Sequence, residues 1–86
     1  MPTSTKNVEI SPAQCRAARS LLDCDQGKLA ESAGLGLSTV VDFERKRRAV
    51  SKKAIAAIRA ALESAGVIFV EENGEGPGVR LRKAKE

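Results

Sequence analysis

Apolar residues recur every three or four positions from about position 12 to 66, and after Gly66 they alternate with polar ones. The first spacing belongs to amphipathic helices and the second to strands. Ser11-Pro12 reads as an N-cap followed by proline at the first helical position. A helix follows to about Leu22 or Asp23, with Cys15, Ala18 and Leu22 on its inner face, Arg16 outside and Arg19 beside that face. Cys24 links it to a second helix, capped by Asp25, that turns Leu29, Ala30 and Ala33 inward. Gly34 can close this helix in the left-handed conformation and let Leu35 drop back into the core. A third helix from Leu37 to about Arg45 turns Val40 and Phe43 inward. The fourth opens at Ser51 and ends at Gly66 as C-cap, its stripe of Ile55, Ile58 and Leu62 closing the core over the first and third helices. Strands are expected at 67–71 and 79–82, joined by the turn-rich Asn73-Gly74-Glu75-Gly76-Pro77-Gly78. That glycine-rich loop invites a phosphate-binding reading, but no helix follows it and it carries a glutamate, so it reads as a hairpin connection.

The second and third helices, joined through Gly34-Leu35-Gly36, have the spacing of a helix-turn-helix, whose second helix enters the DNA major groove. Gln26, Leu29-Ala30, Gly34, Ser38-Thr39, Val40, Phe43 and Glu44 resemble the Q-x-x-L-A-x-x-x-G-[LV]-S-x-x-T-[IV]-x-x-[FIL]-E pattern of the lambda-repressor and Cro-like family, often called the XRE family. The pattern spans about a quarter of the chain, and its extension through the first and fourth helices about two thirds. Gly36 and Leu37 depart from it, standing where the family usually has Ser and then a polar residue. Glycine supplies no capping oxygen, so the third helix begins either without a side-chain cap or with Ser38 in that role. The fold expected is mainly α: a four-helix lambda-repressor-like helix-turn-helix domain at 11–66 with a C-terminal β-hairpin at 67–83. A flexible arm at 1–10 precedes it and a tail at 84–86 follows.

Composition narrows this further. The chain has 86 residues, about the size at which a core needs help from a partner subunit, and its aromatic content is 2% with no Trp, Tyr or His. The core is therefore built from Ala, Leu, Ile and Val with two Phe, which favours helices. A lone hairpin is marginal and exposes its edges, so it must pack on the fourth helix or pair with something else. The simplest partner is the same hairpin of a second copy, which makes Val67, Ile68, Phe69, Val70, Val79 and Leu81 the expected dimerisation residues. No apolar run reaches membrane-span length and the first ten residues lack a secretory apolar region, so a cytoplasmic protein is expected, with no membrane partner. Cys15 and Cys24 then read as small, reduced apolar residues in preference to a redox or metal pair. No metal, cofactor or small-molecule effector is expected.

Lys and Arg number 15 against 11 Asp and Glu, a balance of +4 that permits a polyanionic partner. Placement says more: Arg45-Lys46-Arg47-Arg48 comes directly off the third helix, and Lys52 and Lys53 open the next. Such a run is either a solvated patch or, as its position favours, a set of phosphate contacts that supply affinity without sequence choice. Turning Val40 and Phe43 inward points Leu37, Ser38, Val41 and Asp42 outward. The family resemblance makes Leu37, Ser38 and Asp42 the base readers, with Val41 beside them. Leu37 and Val41 suit thymine methyl groups, Ser38 a base edge or a phosphate, and Asp42 cytosine N4. Thr39 is either partly buried or bonded to phosphate. The resemblance also implies a structural ion pair between Arg19 and Glu44. It implies a phosphate contact at Gln26, which a helix N-terminus favours, the alternative there being a solvated cap residue.

The function expected is a sequence-specific DNA-binding transcriptional regulator, acting as a homodimer on double-stranded DNA with two half-sites. The alternative is a helix-turn-helix protein-interaction module, such as an antitoxin or antiactivator. An enzyme is not expected, because there is no histidine, neither cysteine has a base nearby and the acidic residues scatter.

Overall fold

The computed structural model describes residues 9–83 and folds them into four helices followed by a two-stranded antiparallel hairpin. The elements are α1 (Pro12–Leu22), α2 (Gln26–Ala33), α3 (Leu37–Arg45), α4 (Lys52–Ser64), β1 (Val67–Val70) and β2 (Gly78–Leu81). The tail expected at 84–86, and the expected arm as far as position 8, lie outside the described residues. Ile10 corrects the arm's boundary: it is 4% exposed and belongs to the core. It stands one residue before the N-cap, and Cys15 stands four into the helix. These are the positions at which a hydrophobic staple fixes the angle of chain entry.

Three helices start on side-chain caps. Ser11 Oγ accepts from the Gln14 N–H at 3.0 Å while Gln14 Oε1 accepts from the Ser11 N–H at 2.8 Å, a reciprocal capping box. Asp25 Oδ1 accepts from Lys28 N–H at 2.7 Å, and Ser51 Oγ from Ala54 N–H at 3.1 Å. Gly36 is the N-cap of α3 and makes no side-chain bond, so Ser38 does not take that role. At the other end, α1, α2 and α3 all close through a left-handed residue, at Asp23, Gly34 and Lys46. Only Gly34 does so without steric cost; the other two each forfeit about 1–2 kcal/mol. Leu35 N–H then reaches Ala30 O at 2.9 Å, and its side chain packs against the core at the corner. α4 differs from expectation at its end: Ala65 is the C-cap, and Gly66, one residue beyond at φ 113°, turns the chain toward β1.

Ile55, Ile58 and Leu62 of α4 are buried with Leu29, Val40, Phe43 and Cys15 in one cluster. Each large side chain so removed from water contributes about 1.5–3 kcal/mol. α4 packs most extensively on α2 rather than on α1 and α3, because the hairpin takes the flank of α1. The strands run one residue earlier than expected at the loop, with Val67 paired to Leu81 and Phe69 to Val79. Alternation turns Val67 and Phe69 into the core, at 1% and 9% exposure. The Arg59 guanidinium lies 5.4 Å from the centre of the Phe69 ring. Gln14 Nε2 donates to Gly78 O at 3.0 Å and to Val70 O at 3.4 Å, tying the loop end of the hairpin to α1. Two of the residues expected at a dimer contact are corrected: Val67 and Phe69 serve this chain's own core, while Ile68, Val70 and Val79 are half-buried and Leu81 is exposed. Among the described residues no helix is long and apolar enough to cross a membrane.

Candidate nucleic-acid interface

The direction of α3 is set at its C-terminal end by one buried carboxylate. Glu44 is 2% exposed and receives Arg19 through both arms, Nη2 to Oε1 and Nε to Oε2, each at 2.7 Å. Gln26 Nε2 adds a bond to Oε1 at 2.9 Å, and the Cys15 thiol one to Oε2 at 3.0 Å. Arg16 Nη1 donates to the Glu44 backbone carbonyl at 2.7 Å, and Arg19 Nη1 to Cys24 O at 3.2 Å. α1, the start of α2 and the end of α3 thus meet at a single charged centre. Burial pushes the Glu44 carboxyl up, but hydrogen bonds from Arg19, Cys15 and Gln26 outweigh it and hold the group below its ordinary range. Burial, and next the bond to Glu44, push the Cys15 thiol up, so it stays protonated as a donor. The Glu44 bond likewise raises Arg19. Among the described residues no buried side-chain nitrogen or oxygen lacks a partner.

Fixing α3 by this inner edge turns its other face out. Leu37 is 52% exposed and Ser38 is exposed, with Thr39, Val41 and Asp42 half-buried. Ser38 and Asp42 stand one turn apart along this face, a rise of about 6 Å. Arg45, Lys46, Arg47 and Arg48 are all exposed, as are Lys52 and Lys53 at the start of α4. No acid interrupts positions 45 to 53, so this short segment carries more positive charge than the +4 of the whole chain.

The left-handed turn at Lys46 folds the basic run back along α3. Arg47 N–H reaches Asp42 O at 2.9 Å, and Arg48 Nε donates to Asp42 Oδ2 at 2.7 Å. Asp42, one turn after Ser38 on α3, is thereby brought against Arg48, with the backbone of Arg47 adjoining them. Asp42 shares one carboxylate oxygen with Arg48 and keeps Oδ1 as an acceptor, and Arg48, 53% exposed, is held through Nε. Gln26, expected at phosphate, commits Nε2 to Glu44 and keeps one amide hydrogen for anything else.

Gln14 and Arg16 were not singled out from sequence. For Gln14 a signal exists, because Ser11-x-x-Gln14 is the capping-box spacing, although nothing local points to its second bond with the hairpin. For Arg16 and for the Asp42–Arg48 pair there is no local signal, since each depends on how the chain turns between elements. No protein-family model matches this chain, and no curated protein matches it.

Proposed function

We propose that this chain is a sequence-specific DNA-binding transcriptional regulator of the lambda-repressor-like helix-turn-helix kind, acting as a homodimer on two half-sites in double-stranded DNA. One observation carries the reading: the outward face of α3, with Leu37 and Ser38 exposed, adjoins a cationic segment that turns back beside it. An α-helix fits the major groove, where Ser38 can bond a base edge and Leu37 and Val41 can contact thymine methyl groups. Arg45, Lys46 and Arg47, with Lys52, then face the phosphates that wall the groove, and counterion release makes these contacts the main source of affinity. A dimer sets two such helices about one helical turn apart, about 34–36 Å, and half-buried Ile68 and Val70, on the hairpin face opposite Val67 and Phe69, are apolar surface for that contact.

Footprinting with the pure protein, repeated at several salt concentrations, tests the proposal. Protection of two half-sites with affinity falling steeply in salt is expected. Arg47→Ala is expected to weaken all duplexes alike and to reduce the salt slope by about one, whereas Ser38→Ala changes which bases are preferred. A steep slope with no preferred sequence overturns sequence-specific regulation and leaves the protein-interaction reading, in which the exposed Leu37 is a contact for another protein.

A further inference from the structure

We propose that Arg48, oriented by Asp42, reads a guanine in the major groove at the C-terminal end of the α3 contact. This inference rests on the DNA-binding reading above and adds to it a bidentate donor that the face of α3 itself lacks. Among the described residues, Arg48 is the one member of the basic run paired with a carboxylate.

An exposed arginine ordinarily samples many rotamers, and ordering it costs entropy when it binds. Arg48 is held before any ligand arrives: its Nε sits 2.7 Å from Asp42 Oδ2, and its Nη1 lies 3.4 Å from Ala49 O. With Nε on Asp42 and one Nη1 hydrogen toward Ala49 O, the other Nη1 hydrogen and both on Nη2 remain on a side chain that is 53% exposed. Guanine presents O6 and N7 as two acceptors on its major-groove edge, which match a pair of N–H donors from one guanidinium. The location suits that role, because Asp42 follows Ser38 by one turn on the same face and Lys46 bends the chain back to deliver Arg48 there. Charge argues in the same direction. Asp42 cancels the charge of Arg48, so the pair gains little from counterion release and is a poor phosphate anchor, while its directional donors remain.

Selection of duplexes from a random pool with the full chain, followed by binding to 7-deazaguanine duplexes, tests this. The wild type is expected to select guanine at one position of each half-site, and removal of that guanine's N7 should weaken its binding about tenfold. Arg48→Ala should bind the normal and the 7-deaza duplex equally, and Asp42→Ala should relax preference at that position alone. Arg48 is exposed and Asp42 half-buried, and unchanged circular dichroism of the two variants identifies a loss of choice that does not come from unfolding. A uniform loss across all duplexes in Arg48→Ala, with every base preference intact, makes Arg48 a phosphate contact and overturns the inference while regulation by sequence stands. A wild type that selects no sequence overturns both.

Discussion

Two arginine–carboxylate pairs grip α3 from opposite edges with the same 2.7 Å separation, and they do different things. In Arg19–Glu44 the side chains are 19% and 1% exposed; in Arg48–Asp42 they are 53% and 18% exposed. Inside, the carboxylate collects four side-chain bonds from three residues of α1 and α2, and at 1% exposure it has no solvent face of its own. At the surface, water competes for both partners, so the bond orients a side chain without adding much stability. Distance alone therefore does not distinguish a pair that holds a fold from one that only orients a side chain at the surface. Burial does.

The contrast breaks most visibly through Arg19→Ala. Stranding the buried Glu44 is expected to cost about 3–5 kcal/mol in urea unfolding, and a loss below about 1 kcal/mol removes the distinction. Glu44→Ala should cost less, because the Arg19 side chain left behind is 19% exposed, against 1% for Glu44. Acid gives the next effect. The folded-state pKa of Glu44 lies below the unfolded value of about 4.3, so its contribution is fully present above that pH and is lost as pH falls through the folded value. Thermal unfolding of Glu44→Gln between neutral and acid pH should lack this part of the decline. Gln26→Ala, which removes one donor from the buried carboxylate, is expected to lower stability by about 1–2 kcal/mol and to shift acid unfolding to higher pH. Smallest is Asp42→Ala, at about 0–1 kcal/mol, an effect that should vanish in about 0.5 M salt while the cost of Arg19→Ala persists.

Much of this architecture is legible along the chain because helices announce themselves locally. Val40 and Phe43 at i and i+3, Gly34 at the corner, and the caps Asp25 and Ser51 each act within one turn of themselves, and the structure places all of them as their spacing implies. The hairpin is harder. Its alternation marks strands, but whether Val67 and Phe69 face a second copy or the chain's own α4 depends on how Gly66 redirects the backbone. The outward face of α3 divides in the same way. Exposure of Leu37 and Ser38 follows from helical period, whereas the coupling of Asp42 to Arg48 depends on a left-handed Lys46, a residue type with no preference for that conformation.

By itself the sequence determined four amphipathic helices, a strand pair and the crowding of positive charge after α3, since period, caps and composition act over a few residues. Tertiary structure alone decided that Ile10 joins the core, that α4 leans on α2, and that Gln14 clasps Gly78 from 64 positions away. It also decided that Glu44 gathers Cys15, Arg19 and Gln26. The physical reason is one of range: a residue's pattern states which side of its own element avoids water, while the identity of its partner is settled only when distant elements cross and exclude water together.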